Sequence, residues 1–338
     1  IFKLDPELAH NFAIKALKFD YIPRNNVAKD NSLEISILGK KLSNPIGIAA
    51  GFDKDAEVYN SLYKLGFGFV EVGTVTPLKQ YGNKKPRIFR LEEDEGLINR
   101  LGFNNSGAEK ISSRIKSSVP KGLFGVNIGP NKDTKDRLKD YLICIRAFYK
   151  LADYLTINIS SPNTVNLRSF HNKDELNELL KAIELEKKNL NSTIPIAVKI
   201  SPDINDNNID EISEILLKYK VMFAIITNST DKNRDNLKSI KKFEKGGLSG
   251  KPLEARSNIL INKFYKNLKN EIKIIGVGGV DSGKSAYEKF LNGACLIQLY
   301  TGMIYQGPNI VSKINKELSE ILKNKGIKNF KEVIGSKI

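Results

Sequence analysis

The chain has 338 residues, of which 41% are hydrophobic and 27% charged, proportions that are ordinary for a soluble globular protein. The formal net charge is +16, but the lysines are spread along the whole chain, so we interpret most of it as a solvated surface that favours anionic ligands and not as a nucleic-acid-binding face. The two cysteines and two histidines do not have the spacing of a disulfide framework or a zinc site, and no apolar run approaches the ~18 residues of a membrane span.

The first predicted element is an amphipathic helix over residues 4–19. Asp5 is its expected N-cap and Pro6 its first helical residue. Leu8 and Phe12 recur at helical spacing, which is typical of a face packed against a core. The sequence begins with isoleucine and not methionine, which is compatible with a targeting or anchoring segment upstream.

A short alternating stretch, residues 33–42, predicts a β-hairpin about Gly39-Lys40. From residue 45 onward, apolar β-rich runs alternate with segments of helical length, and each run ends in small or polar residues. Continuous apolar runs without alternation indicate strands covered on both faces, as in a parallel sheet. The eight predicted strands are Ile46–Ala50, Phe69–Val75, Leu123–Ile128, Tyr154–Ile159, Ile194–Ile200, Met222–Thr227, Lys273–Val280 and Cys295–Thr301.

The segments between these strands include the predicted helices Lys173–Asn189, Asn207–Tyr219 and Ser282–Asn292. Eight strand–helix units in one chain predict a (β/α)8 TIM barrel with a small N-terminal helical extension and a β-hairpin. A doubly wound sheet is the competing architecture. The loop after the second strand, residues 76–122, is unusually long, and loops of that length are usually functional.

The strand ends predict the active site, because barrels of this kind place it at the C-terminal ends of their strands. These ends carry amides, hydroxyls, lysines and glycines and almost no carboxylates, which suits an anionic ligand rich in hydrogen-bonding groups. A Ser-His-Asp hydrolase is disfavoured, since Ser161 lacks a nucleophile-elbow motif and His171, its one nearby base, is expected to cap or decorate the surface.

Glycines in the segments 246–250, 276–279 and 300–302 fall on the last two strands and the loop before them, where barrels commonly bind phosphate. Residues 278–285 also satisfy the Walker A pattern, which on its own would indicate a nucleoside triphosphatase. The strand that follows carries no acidic residue to hold magnesium, so a phosphate-bearing cofactor is the preferred interpretation.

Several long motifs together resemble the class 2, quinone-dependent dihydroorotate dehydrogenases, and the resemblance runs from Leu4 to about Pro308. No single short pattern carries it. The motifs are Ala49-Ala-Gly-Phe-Asp-Lys-Asp55, Glu71-Val-Gly-Thr-Val-Thr-Pro77, Lys85-Pro-Arg-Ile-Phe-Arg90, Gly96-Leu-Ile-Asn-Arg-Leu-Gly-Phe-Asn-Asn105, Gly125-Val-Asn-Ile-Gly129, Asn158-Ile-Ser-Ser-Pro-Asn163, Gly246-Gly-Leu-Ser-Gly250 and Ile275-Gly-Val-Gly-Gly279.

The resemblance implies flavin mononucleotide (FMN) as cofactor, dihydroorotate as substrate, orotate as product, and ubiquinone or menaquinone as the final electron acceptor in pyrimidine (UMP) biosynthesis. Ser161 matches the catalytic base, and a cysteine there would instead indicate class 1. Matching FMN positions are Ala50, Gly51, Lys54, Thr74, Asn127, Asn158, Lys199, Thr227, Gly250, Gly279, Tyr300 and Thr301, the last three at the phosphate. Matching substrate positions are Lys54, Asn99, Arg100, Leu101, Gly102, Phe103, Asn158, Asn163, Asn228 and Ser229.

The same resemblance divides the chain into residues 1–32, a helical extension that admits quinone and contacts a membrane, and residues 33–338, the FMN-binding barrel. His10, Arg90 and Tyr300 match positions near the quinone tunnel. The implied location is the surface of an inner membrane, mitochondrial in a eukaryote and the cytoplasmic face of the cell membrane in a bacterium.

Two points stay open at this stage. An FMN barrel acting on RNA, as the tRNA dihydrouridine synthases do, would fit the basic charge but needs a cysteine in a loop after a strand, where neither cysteine lies. Ser161 also needs help to act as a base, and Ser160 or Thr164 could provide it.

Asn166 stands where the family commonly has glycine, and we expect it to adopt left-handed backbone and to make the loop slower or stiffer.

Overall fold

The computed structural model describes residues 2–19, 30–164, 166–268 and 270–338. Thirteen strands lie in these ranges. In chain order they are β1 (Ile35–Ile37), β2 (Lys40–Leu42), β3 (Ile46–Ile48), β4 (Phe69–Val75), β5 (Ile88–Leu91), β6 (Gly96–Asn99), β7 (Leu123–Ile128), β8 (Tyr154–Asn158), β9 (Ile196–Ile200), β10 (Phe223–Ile226), β11 (Gly247–Gly250), β12 (Lys273–Val277) and β13 (Ala294–Leu299).

Ten α-helices accompany the strands in the described ranges. The predicted helix Lys173–Asn189 has those bounds, and the other two predicted helices are each one residue shorter at both ends. In chain order the helices are α1 (Pro6–Lys18), α2 (Tyr59–Lys64), α3 (Ala108–Ser117), α4 (Arg137–Phe148), α5 (Lys173–Asn189), α6 (Asn208–Lys218), α7 (Glu254–Leu268), α8 (Gly283–Leu291), α9 (Thr301–Gln306) and α10 (Ile310–Asn324).

Eight of the strands close into a parallel barrel in the order β3-β4-β7-β8-β9-β10-β12-β13, which confirms the predicted (β/α)8 architecture. Every residue of β4, β7 and β8 is buried. The helices cover the outer face and the side chains of the barrel interior cover the inner one, so these strands tolerate unbroken apolar sequence. The carboxyl ends of all eight strands therefore meet at one mouth of the barrel.

Several strands end earlier than predicted, because their last residues turn into the mouth of the barrel. The predicted strand Lys273–Val280 ends at Val277, since Gly278 and Gly279 follow with φ of 121° and 76°. Such backbone cannot continue a ladder and is accessible to glycine. The first and last barrel strands likewise stop at Ile48 and Leu299.

The predicted N-terminal helix forms with the expected cap, since Asp5 Oδ1 accepts from the backbone N–H groups of Glu7 and Leu8, each at 3.0 Å. The expectation that Leu8 and Phe12 face the core is wrong, because they are 54% and 62% exposed. The helix buries Ala9 and Leu17 instead. Residues 20–29 of the predicted N-terminal extension lie outside the described residues.

Two smaller sheets flank the barrel. The predicted hairpin is β1 paired antiparallel with β2, with its turn at Leu38 and Gly39. The second sheet was not predicted: β6 pairs antiparallel with both β5 and β11. Its strands come from the long loop after β4 and from the segment before α7, and α1 packs against β5. This sheet and α1 together stand over the mouth of the barrel.

A fully buried lysine, Lys289, lies between α7 and α8 on the outside of the barrel. Its Nζ donates to Ser257 Oγ at 3.1 Å and to Asn258 Oδ1 at 2.9 Å, both neutral acceptors. Burial lowers the pKa of Lys289 to about 7, against an ordinary value of 10.5, with Glu254 opposing the shift. Burial of the charged ammonium therefore destabilises the folded protein, whereas in the unfolded chain the ammonium is solvated.

The free energy of unfolding should therefore depend on the protonation of Lys289. Between pH 7 and 10 the unfolded state keeps a proton on Lys289 that the folded state releases, so the free energy of unfolding rises with pH from this group. Compared with Lys289→Met, the wild type should gain about 1.4 kcal/mol per pH unit above pH 7, with no change in the difference below pH 7. Urea titrations of both proteins between pH 6 and 9 measure it, and parallel stability curves would contradict it.

Candidate functional site

A cavity of about 700 Å³ opens at the carboxyl ends of the barrel strands, beneath α1 and the β5-β6-β11 sheet. One part is polar and lies over the barrel centre. Its lining includes Lys54, Thr74, Asn99, Asn158, Ser161, Asn163, Lys199, Asn228 and Ser229. The other part is an apolar neck that runs past α1 and α9, and its lining includes Ala9, Phe12, Ala13, Ala16, Leu17, Ile88, Leu97, Val280, Met303 and Ile304.

The floor of the polar part is a hydrogen-bonded triad of side chains from β4, β7 and β8. Asn158 Nδ2 donates to Thr74 Oγ1 at 3.0 Å and to Asn127 Oδ1 at 3.1 Å, and Thr74 Oγ1 donates to Asn127 Oδ1 at 2.6 Å. Thr74 and Asn158 line the cavity, whereas Asn127 is fully buried one layer below. Asn127, which was predicted to bind the cofactor, therefore lies below the cavity wall and holds the two residues that line it.

Glu71, fully buried inside the barrel, supports this triad from below. Its Oε1 accepts from Asn127 Nδ2 at 2.8 Å, and its Oε2 accepts from Tyr154 OH at 3.0 Å and from Gln298 Nε2 at 2.9 Å. An ionised carboxylate can only accept, so all three neighbours must donate to it. Glu71 was not among the predicted site residues, although a lone acid within the apolar run Phe69–Val75 is a signal that could have identified it.

Lys199 is a buried cation at the end of β9 that lines the cavity. Within the described residues its Nζ has no hydrogen-bond acceptor, and Glu71 is the anion that acts on it electrostatically. Burial lowers the pKa of Lys199, and Glu71 opposes that shift. A buried ammonium without an acceptor is costly, so this group is suited to an acceptor-rich ligand in the cavity.

Ser161 lies at the cavity wall directly after β8 and is 5% exposed. Its Oγ accepts a hydrogen bond from the backbone N–H of Asn163 at 3.2 Å, which leaves its own proton free to move. The Ser160 hydroxyl is already committed, since it donates to Asn158 Oδ1 and accepts from Asn228 Nδ2, each at 2.9 Å. No hydrogen bond between described residues joins Thr164 to Ser161, so neither proposed helper contacts the Ser161 hydroxyl.

Most of the predicted substrate residues meet around this serine. Asn163 Nδ2 donates to the carbonyl of Asn99 at 3.1 Å, which joins the loop after β8 to β6. Leu101, Gly102 and Phe103 complete that side of the wall. Arg100 is the exception: its guanidinium turns away to Glu244, 2.7 Å distant, and stacks on Phe89 at 4.5 Å, so its side chain does not line the cavity.

Two titratable groups stand where the polar part meets the neck. Lys54 Nζ donates to the carbonyl of Gly51 at 2.6 Å, and burial lowers the pKa of Lys54 to about 8. Burial, together with the nearby Lys54 charge, lowers the pKa of His10 to about 3, so His10 is neutral. Its ring meets the edge of Phe52, with the ring centroids 5.3 Å apart.

The predicted phosphate-binding turn brings bare backbone to the cavity. Gly250 and Gly279 both have positive φ, at 93° and 76°. A Cβ on Gly250 would lie 2.5 Å from the carbonyl oxygen of Glu95, and one on Gly279 would lie 2.4 Å from Glu254 Cβ. Glycine is thus required at both places, and the other predicted cofactor residues on this wall, Ala50, Gly51, Thr227, Tyr300 and Thr301, line the same cavity.

The loop after Ser161 differs in one respect from prediction. Asn166 has φ 54° and ψ 12°, the left-handed backbone that was expected of it. His171 was expected on the surface but is buried, with Nδ1 donating to the carbonyl of Arg168 at 3.0 Å and Nε2 accepting from the N–H of Ser201 at 3.1 Å. Burial lowers the pKa of His171 to about 4, which fits a neutral ring whose role is to join this loop to the end of β9.

The remaining sequence candidates lie away from the cavity. Cys144 and Cys295 are buried in α4 and β13, and burial raises the pKa of both thiols. In the Walker-like segment, Lys284 is exposed and the N–H of Gly283 donates to Glu317, a carboxylate where a phosphate would have to bind. The described ranges contain no metal-binding cluster of acids, histidines and cysteines, and no helix in them has the length and hydrophobicity to cross a bilayer.

Comparisons with known proteins agree with one another. The family model described as dihydroorotate dehydrogenase matches residues 32–322. Proteins named dihydroorotate dehydrogenase (quinone) from Bartonella tribocorum and Buchnera aphidicola are each 47% identical, the first over 98% of this chain and 93% of its own length, the second over 94% and 97%. The crystal structure of dihydroorotate dehydrogenase from Eimeria tenella with ferulenol is 37% identical, with a TM-score of 0.94 over 98% of this chain and 95% of that one.

The Glu71 network makes a prediction about stability. Glu71→Leu leaves Asn127, Tyr154 and Gln298 with buried donors that lack an acceptor, and it leaves Lys199 without its anion. The free energy of unfolding should fall by about 3–5 kcal/mol. Glu71→Gln should cost less, because its carbonyl oxygen can still accept from Asn127. Urea denaturation compares the two, and equal losses would show that the acceptor is unimportant.

Proposed function

This chain belongs to the dihydroorotate dehydrogenase family, and we propose that its cavity oxidises dihydroorotate to orotate on bound FMN and passes the electrons to a quinone. The reaction is a step of pyrimidine biosynthesis. The observation that carries the assignment is the combination, in one cavity, of Ser161, the buried cation Lys199, whose Nζ has no hydrogen-bond acceptor among the described residues, and an apolar neck. This reaction needs a proton acceptor, a positive charge beside an acceptor-rich ring system, and a route by which a lipophilic oxidant enters.

The residues present fit a flavin. Lys199 offers a donor to its ring system at the barrel centre, beside Thr74 and Asn158 on the cavity floor, and Gly250, Gly279, Tyr300 and Thr301 form the bare turn for its phosphate. When bound, FMN supplies the acceptor for the hydride that leaves C6 of dihydroorotate and transfers the electrons to the quinone. The protein's own contribution is to hold the groups in place and to exclude water.

Ser161 removes the proton from C5 of dihydroorotate. To take up that proton Ser161 gives up its own hydroxyl proton, so its Oγ acquires alkoxide character, and the N–H of Asn163, 3.2 Å away, donates to this atom. A backbone donor to this oxygen stabilises its deprotonated form and so favours the state of the serine that can accept a proton. The Ser160 hydroxyl is occupied by two amides, so the proton leaves Ser161 through the cavity and not through its neighbour.

The substrate lies between the loop after β8 and the loop after β10. Lys54 pairs with its carboxylate, while Asn99, Asn163 and Asn228 match the N–H and C=O groups of the pyrimidine ring. Leu101, Gly102, Phe103 and Ser229 close the sides of the pocket. Arg100, which pairs with Glu244, shapes this wall from behind and does not contact the substrate.

The neck takes the quinone. Its wall is largely apolar, with the neutral His10 and with Arg90, whose guanidinium donates to the Phe2 and Leu4 carbonyls, among its lining, and α1 forms its outer side. Leu8 and Phe12 on α1, and Leu4 just before it, are all exposed, and the last turn of the helix carries Lys15 and Lys18. This arrangement supports contact with an anionic membrane surface, where ubiquinone or menaquinone is dissolved.

The direct test is spectroscopic. Purified protein loaded with FMN should lose its flavin absorbance on addition of dihydroorotate without oxygen, and a quinone should restore it. A protein that neither binds FMN nor bleaches would overturn the assignment. Restoration by fumarate or NAD at the rate given by quinone would overturn the choice of acceptor alone.

Replacing the base should separate chemistry from binding. Ser161→Ala should slow bleaching by dihydroorotate by about 10²–10⁴-fold, because general base catalysis is lost, while FMN remains bound. Ser161→Cys keeps an ionisable group and should retain more activity than Ser161→Ala. Stopped-flow absorbance measures both, and bleaching within threefold of wild type in Ser161→Ala would refute the role of the serine.

Lys54 predicts how ligand affinity depends on pH. With a pKa lowered to about 8, Lys54 loses its charge as the pH rises through 8, so the Kd for orotate should increase up to tenfold per pH unit above that value. Lys54→Met should weaken orotate binding about tenfold or more at pH 7 and make it independent of pH. Titrating the flavin spectrum with orotate from pH 6.5 to 9.5 measures this, and a pH-independent wild type would contradict it.

A further inference from the structure

Arg168 lies in the loop that carries Ser161, and its guanidinium contacts that loop and two other loops of the barrel mouth. Its Nε donates to the carbonyl of Ser160 at 3.3 Å, and one terminal nitrogen donates to the carbonyl of Ser229 at 3.2 Å. The same side chain forms ion pairs with Asp203 and Asp231, each at 3.0 Å. These partners follow β8, β9 and β10, so one planar group joins the ends of three adjacent strands.

The two carbonyls are the informative partners. The Ser160 carbonyl and the Ser161 N–H belong to the same planar peptide unit. A hydrogen bond that holds this carbonyl therefore fixes the orientation of the backbone from which the Ser161 side chain projects. Ser229 lines the opposite side of the substrate pocket, and its N–H donates to Asn228 Oδ1 at 2.8 Å. Arg168 therefore sets the separation between the loop with the proposed base and the loop with the proposed substrate amides.

The carboxylates hold the guanidinium in this position. Asp203 has a side chain only 7% exposed, and it also accepts from the N–H of Asp231 at 3.1 Å and from the Thr230 hydroxyl. Asp231 is half exposed. A planar guanidinium with five donors can serve two carbonyls and two carboxylates together, whereas an ammonium cannot serve them in one plane. The cluster is thus specific for arginine.

We propose that Arg168 is a positioning residue for Ser161, which cross-links the loop after β8 to the loop after β10 and thereby keeps the base at a fixed distance from the substrate. This proposal rests on the function proposed above. It assigns Arg168 no contact with substrate or cofactor, because its side chain does not line the cavity.

A simple stabilising ion pair is the competing explanation. Such a role would lower stability and cofactor content together and would slow both halves of the reaction. A positioning role slows only the half that uses Ser161, because the neck and the proposed quinone lie on the other side of the cavity. Comparing the two half-reactions therefore separates the explanations.

The experiment measures both half-reactions by stopped-flow absorbance in FMN-loaded Arg168→Met and Arg168→Lys. Bleaching by dihydroorotate should slow at least ~30-fold in Arg168→Met and at least ~5-fold in Arg168→Lys, since misplacement of a catalytic group by about 1 Å can cost 10²-fold. Restoration of the flavin absorbance by a short-chain quinone should stay within twofold of wild type. Bleaching within threefold of wild type in Arg168→Met, or equal slowing of both halves, would overturn the proposal.

Arg137 provides a matched control. It contacts the same loop from α4, through the carbonyl of Asn166 and the Ser169 hydroxyl at 3.4 Å, but it contacts neither Ser160 nor Ser229. Arg137→Lys should leave both half-reactions within twofold of wild type, and slowing equal to that of Arg168→Lys would show that any arginine on this loop has the same effect.

A second measurement keeps the proposal testable if Arg168→Met does not fold or if the wild type is not bleached by dihydroorotate. Amide hydrogen exchange of residues 160–164 and 229–231 should be at least tenfold faster in Arg168→Lys than in wild type. Unchanged exchange in both segments would overturn the cross-link. A wild type that exchanges as expected but does not bleach would instead refute the proposed function and leave the cross-link standing.

Discussion

The polar floor of this barrel depends on one buried carboxylate that can only accept hydrogen bonds. Glu71 requires Asn127 to present its amide nitrogen downward, so the amide oxygen of Asn127 must face Thr74 and Asn158. Asn158 then directs its amide nitrogen to Thr74 and Asn127 and its amide oxygen to Ser160, whose hydroxyl in turn accepts from Asn228. The donor-to-acceptor direction of every hydrogen bond from the barrel interior to the substrate pocket therefore follows from the Glu71 carboxylate at the inner end.

Backbone groups confirm this direction from the other end. The N–H of Ser160 donates to Asn158 Oδ1 at 3.2 Å, and the N–H of Ser229 donates to Asn228 Oδ1. A hydrogen-bond network that is oriented in the same direction from both ends has no alternative arrangement of its amides close in energy. The donors and acceptors that face the cavity are therefore set before a ligand arrives, which is the condition for electrostatic preorganisation.

Local sequence predicted the barrel well because each parallel strand is an unbroken apolar run with its own helix. It did not predict the β5-β6-β11 sheet, in which residues 96–99 pair with residues 247–250, and no local pattern records a pairing at that separation. The cavity-lining residues were largely recoverable from strand ends and motifs. The surface position expected of His171 was wrong, since it is buried against the end of β9. Local sequence also could not place Asn127 a layer below the floor or turn Arg100 to Glu244, because these surroundings come from other strands.

Helix α1 is attached to the rest of the protein by its buried side chains Ala9 and Leu17 and by polar contacts at both ends. At its end the Leu17 carbonyl accepts from the Ser61 hydroxyl, and Lys18 pairs with Glu57, each at 2.8 Å. Glu7 pairs with Arg87 at 2.6 Å, and Arg90 holds the carbonyls of Phe2 and Leu4 at 3.0 and 2.9 Å. The helix nevertheless forms one wall of the neck without belonging to the barrel. Substitutions along α1 can therefore reshape the path of the oxidant while the floor built on Glu71 keeps its geometry, so the choice of electron acceptor and the choice of substrate are free to evolve separately.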